Sequence, residues 1–421
     1  MTVCIRRYSS RWKGTKGIVN KMISKLGDIC DKIGSGLTPT GGSSVYTDSG
    51  VAFIRSQNVL NMAFSIDGLT FIDESIAGMM DNVSLCENDI LLNITGDSVA
   101  RMCLVPKEIL PARVNQHVCI VRVNVEKANP RFVYYQLCGL QKKLLSLASV
   151  GATRKALTKQ MIEELELELP VRQLQDNIAY TIDSIQSKID YNKAINDNLE
   201  AQIRACFDEI SNKPNLTETS LGNRLYIKGR IGWKGLKKEE YLEKSNYRII
   251  NGEALTPSGI DWDKAGYITE ERYLESPEIM LEPDDIVLSK DGTIGKIGYI
   301  HTLDLPTTVA SGIFVIRSLQ KDYLAPHFIY QLLKSPKFKG FVEGRKEGSA
   351  IPHLYQRDFI EFLFPLPLCE DLQLFNKLTH PLFQKLIENE KEIKQLTALR
   401  DYLLPKLMSG EVDVSTLEIP N

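Results

Sequence analysis

The sequence predicts an α+β protein in which two duplicated mixed α/β lobes are separated by two long helices that form an antiparallel coiled coil. Three observations predict this fold class. The 421-residue chain repeats itself at an offset near 196 residues, and a heptad pattern follows each copy of the repeat. A composition of 43% hydrophobic and 25% charged residues is typical of globular domains, and a chain of this length is expected to hold two to four of them.

The repeat keeps the same order over a whole half of the chain. Asn88–Leu92 matches Asp284–Leu288, and Pro130–Tyr134 matches Pro326–Tyr330. The offset changes only between 195 and 198 residues along the repeat. A period this long indicates duplicated domains and excludes a solenoid of short repeats.

The repeat divides the chain into six segments. Each lobe combines short β-branched runs, such as Val118–Val123, with turn-rich stretches and one helical patch. The segments are an N-terminal basic extension at 1–22, a first lobe at 23–170, a first spacer helix at 171–211, a second lobe at 212–367, a second spacer helix at 368–410 and a C-terminal tail at 411–421.

The two spacer segments alternate apolar spacings of four and three residues, which is the a/d pattern of a coiled-coil seam. The alternative is an amphipathic helix packed on a globular core. Pro381 lies inside the second segment and predicts a kink or a late helix start there. The predicted seam residues are Ile178, Ile182, Ile185, Ile189, Asn192, Leu199, Ile203, Leu382, Leu386, Asn389, Ile393, Leu396 and Leu403.

Asn192 and Asn389 occupy equivalent seam positions. A buried Asn pair fixes the register of a coiled coil, because misalignment leaves an amide without a partner. We therefore expect the two side chains to face each other where the helices cross antiparallel. The alternative places both at a wetted edge of the seam.

The net charge of −2 hides a segregation of charge along the chain. Residues 1–162 carry a net charge of +8, residues 163–211 carry −7, and residues 212–367 are neutral. A uniformly basic nucleic-acid binder is excluded, but a binder with separate basic patches is not. In both copies a cluster of basic residues comes just before the segment that leads to the Leu-Pro dipeptide at the end of the lobe. Basic side chains there are suited to binding phosphate groups. The alternative is a solvated lysine face.

Polar side chains that suit base edges lie near these basic patches. Each of them is also compatible with an ordinary turn. The candidate DNA-binding residues are Lys32, Ser35, Thr38, Arg55, Gln57, Asn58, Thr95, Asn115, Gln116, His117, Lys142, Lys143, Arg154, Lys155, Arg230, Trp233, Lys234, Lys237, Lys290, Thr293, Lys296, Lys337, Lys339, Arg345 and Lys346.

Catalytic and metal-binding patterns are missing from the sequence. The segment Gly292–Lys296 has the wrong spacing for a P-loop and predicts a hairpin turn. The five histidines are scattered, so we expect no metal site, and no catalytic residue is assigned. The eight cysteines lie far apart and contain no CxxC pair, which favours reduced thiols in a cytoplasmic protein. No apolar run is long enough for a membrane span.

Two lobes that are each followed by a heptad helix resemble the specificity subunit of type I restriction–modification enzymes. In the first copy the resemblance is carried by Lys25–Ile29, Gly34–Pro39, Gly50–Val59 and Glu87–Leu92. In the second copy and at its end it is carried by Gly229–Gly235, Asp284–Val287, Gly292–Gly295 and Leu403–Glu411. The resemblance covers about residues 23–414, and residues 1–22 have no counterpart in the family pattern. Met22 is therefore an alternative native start.

The resemblance implies a non-catalytic DNA-recognition subunit. Each lobe would be a target-recognition domain that reads one half of a bipartite, asymmetric site in double-stranded DNA. The antiparallel helices would set the spacer between the halves and dock two modification (methyltransferase) subunits. Restriction (motor) subunits would complete the complex. The chain itself would hold no cofactor, while S-adenosylmethionine, ATP and Mg²⁺ would belong to the partner subunits.

Two other functional classes stay open from the residues alone. One is a coiled-coil scaffold or protein-binding adaptor without DNA specificity. The other is a nuclease or methyltransferase whose site has no recognisable motif. Salt-sensitive DNA binding argues against the first, and methyl transfer or cleavage by the purified chain alone supports the second.

Overall fold

The computed structural model describes residues 21–149, 155–214, 216–231, 235–257, 259–321, 323–344 and 353–419. The predicted basic extension therefore lies almost wholly outside the described residues. The chain divides into two compact units: unit 1 comprises Met1–Asp190 with Lys394–Asn421, and unit 2 comprises Tyr191–Ile393. Each unit holds one lobe and one half of each long helix.

The first lobe mixes short strands with short helices and ends in a helix of 40 residues. In chain order its elements are β1 (Met22–Lys25), α1 (Leu26–Ile29), β2 (Cys30–Ser35), β3 (Val51–Ile54), β4 (Val59–Leu60), β5 (Ala63–Phe64), β6 (Thr70–Ile72), α2 (Glu74–Met79), β7 (Ile90–Asn93), β8 (Met102–Leu104), β9 (Ala112–Val114), β10 (Val118–Val123), α3 (Pro130–Gly139), α4 (Gln141–Ala148), α5 (Lys159–Glu163), β11 (Glu166–Leu169) and the first long helix α6 (Arg172–Ser211).

The centre of the first lobe is a four-stranded antiparallel sheet in the order β2-β10-β7-β8. Because side chains alternate between the faces of a strand, Ile90 and Leu92 of β7 pack against the helices, while Leu91 packs against the three-stranded sheet β6-β3-β9. Both faces of the central sheet are thus covered. This explains why β7 and β10 are nearly continuous apolar runs in the sequence.

The second lobe contains the same succession of strands, with the 3₁₀ turn Leu221–Asn223 where the first lobe has α1, and it ends in a helix of 41 residues. In chain order they are β12 (Thr217–Ser220), β13 (Leu225–Gly229), β14 (Tyr247–Ile250), β15 (Leu255–Thr256), β16 (Gly259–Ile260), β17 (Gly266–Ile268), α7 (Glu270–Leu274), β18 (Ile286–Ser289), β19 (Ile297–Tyr299), β20 (Thr307–Val309), β21 (Ile313–Ser318), α8 (Pro326–Lys334), α9 (Pro336–Glu343), α10 (Gln356–Ile360), β22 (Leu363–Leu366) and the second long helix α11 (Cys369–Ser409).

The sheets of the second lobe repeat those of the first, strand for strand. Its central sheet has the order β13-β21-β18-β19, and its three-stranded sheet has the order β17-β14-β20. In both three-stranded sheets the middle strand pairs parallel on one side and antiparallel on the other. The predicted duplication of a mixed α/β lobe is confirmed. The predicted hairpin turn at Gly292–Lys296 connects the antiparallel strands β18 and β19.

The two long helices lie antiparallel within each unit. In unit 2, Asn192 and Asn196 of α6 bond Glu392 and Asn389 of α11, so residue numbers rise on one helix as they fall on the other. In unit 1, the Arg400 guanidinium donates to the Gln186 side chain over 2.7 Å. These cross-helix bonds have the antiparallel direction that the sequence predicted.

The predicted seam residues line this contact to different depths. The helix α11 begins at Cys369 and continues through Pro381, so the late start is wrong, while the kink at Pro381 stays a prediction. Six of the apolar seam positions are buried, namely Ile178, Ile182, Ile189, Leu199, Ile203 and Leu386. The others are half-buried, namely Ile185, Leu382, Ile393, Leu396 and Leu403.

The two seam asparagines are buried, with exposures of 1% for Asn192 and 2% for Asn389, but they do not bond each other. Asn192 Nδ2 donates to Glu392 Oε2 over 2.8 Å, and Asn389 Nδ2 donates to Asn196 Oδ1 over 2.9 Å. The expected direct pair is therefore wrong. The physical reason is the helix register, which sets each amide opposite a different polar side chain.

Candidate nucleic-acid interface

Five segments of the first lobe meet at one end of its central sheet, where β2 and β7 end and β10 begins. The backbone amide of Gly36 donates to the Val118 carbonyl over 3.0 Å, and that of Leu37 donates to the Val114 carbonyl over 3.1 Å. The backbone amide of Asn115 donates to the Ile54 carbonyl over 3.0 Å. We call this surface face 1; it comprises residues 35–38, 55–57, 94–96, 115–117 and 155–156.

Main-chain bonds also bring the remaining segments to face 1. The Gly96 amide donates to the Lys155 carbonyl over 3.1 Å, and the Ile94 amide donates to the His117 carbonyl over 3.0 Å. The Asn93 side-chain amide donates to the Ser56 carbonyl over 2.8 Å. Residues that are far apart in sequence therefore form one continuous polar surface.

Two pairs of polar side chains shape face 1. Thr95 Oγ1 and His117 Nδ1 share a hydrogen bond of 2.7 Å, and Gln116 beside them is exposed. Arg55 Nη2 and Gln57 Nε2 both donate to one carbonyl, that of Gly68, over 2.7 and 3.2 Å. Ser35, Thr38 and Lys155 are also exposed at this end of the lobe. The face offers both hydrogen-bond donors and acceptors to a ligand.

Sequence reasoning missed one contributor to face 1. The Arg55 guanidinium carbon lies 5.7 Å from the centre of the Tyr46 ring, which is a cation–π contact. Tyr46 precedes β3 by five residues and belongs to no motif. Its contact with Arg55 depends on how the loop before β3 packs back onto the loop after it.

Three candidate residues of the first lobe form hydrogen bonds within the lobe. Asn58 is fully buried; its Oδ1 accepts from the Arg55 amide, and its Nδ2 donates to the Ser65 carbonyl over 3.0 Å. Asn115 is also buried and accepts from the His117 amide. Lys32 donates to the Asn82 carbonyl, and burial, followed by the nearby Arg122 charge, lowers its pKa. Asn58 is therefore withdrawn as a DNA contact, whereas Lys32 is half-exposed and stays a candidate.

The second lobe has a corresponding surface, face 2, which comprises residues 251–253, 290–293, 310–312 and 353–355. The Ala310 amide donates to the Ile250 carbonyl over 2.9 Å, and the Lys290 amide donates to the Gly312 carbonyl over 2.8 Å. The Leu354 amide donates to the Lys290 carbonyl over 2.9 Å. These bonds place the loops after β14 and β18 beside the turn between β20 and β21, as in face 1.

Lysine side chains lie on and beside face 2. Lys290 Nζ lies 5.0 Å from the centre of the Phe314 ring, and Lys296 Nζ donates to the Gly252 carbonyl over 3.3 Å. Thr293 is exposed in the turn between them. Sequence reasoning missed the side-chain contact between Asp291 and His353, which joins the loop after β18 to the segment before α10.

Arg230 is the clearest correction in the second lobe, because its side chain is only 1% exposed. Its Nε donates to the Val309 carbonyl over 3.1 Å, and its other nitrogens lie 3.4 Å from the hydroxyls of Ser276 and Thr308. Burial lowers its pKa, with the neighbouring Arg272 charge as the next cause. Arg230 crosslinks the lobe interior and is withdrawn as a phosphate contact.

The remaining candidates lie elsewhere. Lys142 and Lys143 are exposed on α4, Lys337 and Lys339 are exposed on α9, and Lys237 is exposed before a short turn. Five candidates fall outside the described residues, namely Arg154, Trp233, Lys234, Arg345 and Lys346.

Groups of three or more His, Cys, Asp or Glu side chains with the spacing of a metal site do not occur in the described ranges. The helices within those ranges include none that combines the length and apolarity needed to cross a membrane.

Comparison with known proteins connects this architecture to a family. The family described as the type I restriction modification DNA specificity domain matches residues 18–201 and again residues 231–398. The two matches fall on the two copies of the repeat and run into the long helix that follows each lobe.

Individual relatives carry the same family name. The chain is 27% identical over 290 residues to the type I restriction enzyme MjaIX specificity subunit of Methanocaldococcus jannaschii, with 64% of this chain and 66% of that protein aligned. It therefore spans just under two thirds of that relative. It is 23% identical over 334 residues to the type I restriction enzyme EcoBI specificity subunit of Escherichia coli, with 72% of this chain and 70% of that protein aligned.

A solved structure shares the fold. The crystal structure of a type I restriction-modification system S subunit from M. genitalium matches with a TM-score of 0.59 at 19% identity, over 94% of this chain and 99% of that chain. Because the family match covers more than half of the sequence in two copies, the chain belongs to the family of type I restriction–modification DNA specificity subunits.

Proposed function

We propose that the chain is the sequence-reading subunit of a type I restriction–modification complex and that faces 1 and 2 each read one half of a bipartite DNA site. The observation that supports this most directly is the convergence of equivalent loops at the same end of the central sheet in both lobes. A duplicated surface suits a ligand with two half-sites.

The chemistry of the two faces suits DNA. Phosphate contacts need basic side chains that reach solvent, and Lys155 on face 1 and Lys290 on face 2 supply them. Base edges need exposed side chains that both donate and accept, which the Gln57 and Gln116 amides provide. In this proposal the lysines hold the DNA while the amides contribute to the choice of sequence.

The first long helix and the segment that leads into it are acidic. The stretch 163–211 carries a net charge of −7, of which α6 contributes −3, and such a segment is repelled by phosphate, whereas α11 is neutral. We propose that α6 and α11 set the spacer between the half-sites and dock two modification subunits, with restriction subunits completing the complex. The complex would act in the cytoplasm.

The chain would catalyse nothing itself in this proposal. S-adenosylmethionine would bind in the modification subunits, which methylate adenine, and ATP and Mg²⁺ would bind in the restriction subunits. The contribution of this chain is to position DNA relative to those active sites.

DNA binding by the assembled modification complex tests the proposal. Lys155→Ala and Lys290→Ala should each weaken binding to specific and unrelated DNA alike. Each should also make the slope of the logarithm of the DNA association constant against the logarithm of the salt concentration shallower by about 1. Lys107→Ala is the matched control, because Lys107 is exposed in the first lobe but follows β8 at the sheet end opposite face 1. Equal effects from all three variants, or no salt dependence, would support a scaffold without DNA specificity.

A further inference from the structure

A cavity of about 200 Å³ lies in unit 2 where the second lobe meets the long helices. Its walls come from the second lobe and from both long helices. Trp262 and Tyr299 come from the sheets and turns of the lobe, Tyr330 comes from α8 and Phe383 comes from α11. This site is separate from face 2, since it shares no residue with that surface.

The aromatic wall is closely packed around Tyr299. The Tyr299 ring centre lies 4.8 Å from Phe383, 5.6 Å from Tyr330 and 4.8 Å from His301. The first two contacts are edge-to-face, with interplanar angles of 73° and 79°. Ring faces attract cations, and Lys334 already holds its Nζ 4.9 Å from the Tyr330 ring centre.

Two carboxylates complete the lining, one from each long helix. Glu200 of α6 lies 2.8 Å from Lys334 Nζ, and Glu390 of α11 lies 3.1 Å from His301 Nε2. His301 Nδ1 is buried and has no hydrogen-bond partner among the described atoms. Because Lys334 balances the Glu200 charge, the cavity combines aromatic rings, the Glu390 carboxylate and an unsatisfied nitrogen.

The duplication shows that the shared fold does not require this lining. Strands β18 and β19 pair with the same register as β7 and β8, which relates Tyr299 to Leu104. At the offsets of the repeat, the equivalent positions hold Ile66 for Trp262, Leu104 for Tyr299, Pro106 for His301, Gln186 for Phe383, Thr397 for Glu200 and Lys193 for Glu390. Tyr330 keeps its ring as Tyr134, but the other aromatic rings and both carboxylates of the lining are not repeated.

We propose that this cavity binds an aliphatic organic cation, that is, an alkylammonium or alkylguanidinium group. Rings and carboxylates together favour such a cation over a neutral or anionic group. The volume is below the roughly 300–1,000 Å³ of typical cofactor sites and fits a group the size of a side chain. The cation is either a free small amine or a Lys or Arg side chain of a partner subunit. The proposal does not depend on DNA recognition.

Fluorine NMR of the full chain labelled with 5-fluorotryptophan tests the site directly. The chain has three tryptophans, and Trp262→Phe identifies the resonance of the cavity. Titration with n-butylammonium and with n-butylguanidinium should shift that resonance saturably, whereas neutral n-pentanol should not. An equal response to n-pentanol, or no saturable shift with either cation, overturns the proposal.

Replacing a glutamate by glutamine removes its charge but keeps its shape, so an effect on cation binding can be told apart from an effect on folding. Glu390→Gln should weaken binding of the cation roughly fivefold. Glu388→Gln is the matched control, because Glu388 is on the same helix, 69% exposed and paired with Lys385 outside the cavity. Equal losses in both variants contradict the assignment. If n-butylammonium still binds after assembly with the modification subunit, the natural ligand is a free amine; if assembly abolishes its binding, a partner side chain occupies the site.

Discussion

Arg122 of β10 holds Asp89 through two parallel hydrogen bonds, one of 2.8 Å from Nε and one of 2.7 Å from Nη2. The Asp89 side chain is completely buried at the start of β7. Arg317 and Asp285 repeat the arrangement in the second lobe at 2.6 and 2.7 Å. A buried carboxylate needs an opposite charge with good geometry, so each pair ties the entry of one central strand to its neighbour.

Replacing Arg122 by Met should destabilise unit 1 by about 3 kcal/mol, because it leaves the Asp89 carboxylate buried without its counter-ion. Urea unfolding followed by a probe in the first lobe measures the loss. Lys107→Met is the control: its pair with Glu87 is long, at 3.8 Å, and exposed, so it should change stability by less than about 0.5 kcal/mol. Equal effects would show that the buried pair has no special role.

Gly36 lies at the exit of β2 with no room for a side chain. A Cβ atom there would lie 2.0 Å from the Val114 carbonyl oxygen and 2.4 Å from that of Asn115. Gly36→Ala should therefore push residues 35–38 away from the rest of face 1, cost about 2 kcal/mol of stability and weaken binding to the first half-site.

Gly34 provides the matched control for this substitution, because a Cβ atom there would meet nothing within 4 Å. Thermal unfolding and DNA binding should be nearly unchanged in Gly34→Ala. Equal changes in stability and DNA binding in the two alanine variants would contradict the close packing around Gly36.

The seam asparagines should couple to the partners seen across the helices. A double-mutant cycle between Asn192→Ala and Glu392→Ala should give a coupling energy of about 1 kcal/mol, since it removes one cross-helix hydrogen bond of 2.8 Å. The cycle between Asn192→Ala and Asn389→Ala should give a smaller coupling. A larger coupling energy for Asn192 with Asn389 than for Asn192 with Glu392 would support the direct Asn–Asn pair that the sequence predicted.

His327 predicts how the stability of unit 2 depends on pH. Its ring is stacked between Phe375 and Phe383, and burial, with the His380 charge as the next cause, lowers its pKa to about 4 from an ordinary value of 6.5. The unfolded chain binds this proton more readily than the folded chain. The stabilising contribution of the neutral ring is therefore complete above pH 6.5 and is lost as the pH falls towards 4.

Replacing His327 by Phe should keep the stacking and remove the titration. The drop in unfolding free energy between pH 7 and pH 5 should shrink by roughly 2 kcal/mol relative to the unaltered chain. Urea unfolding at the two pH values measures this difference. An unchanged pH dependence would mean that His327 does not bind its proton preferentially in the unfolded state.

The large features of this fold could be read from the sequence because they are periodic. A colinear repeat specifies two equal lobes, and a heptad pattern specifies long helices that bury one stripe. The register of those helices was not readable, because shifting it by one turn keeps the same apolar pattern. That is why the partners Glu392 and Asn196 were not foreseen for the two seam asparagines.

The candidate DNA-binding residues show the corresponding limit at the surface. Residue type alone favoured Arg230 and Asn58 as contacts, yet both are buried and bonded within their lobes. The sequence identified polar turns, but only the strand order shows that the loops of face 1 lie near one another. Tyr46 was missed because its partner Arg55 lies in a different loop. His353 was missed because its partner Asp291 is distant in sequence.

The most direct test of two separate readers is to exchange one lobe. The chain would be co-expressed with its modification subunit, with residues 23–170 replaced by the corresponding lobe of a specificity subunit that reads a different site. Single-molecule sequencing would then map the methylated adenines. We predict that one half of the bipartite motif changes, while the other half and the spacer length are kept. An unchanged motif, or a change in both halves, would contradict the account.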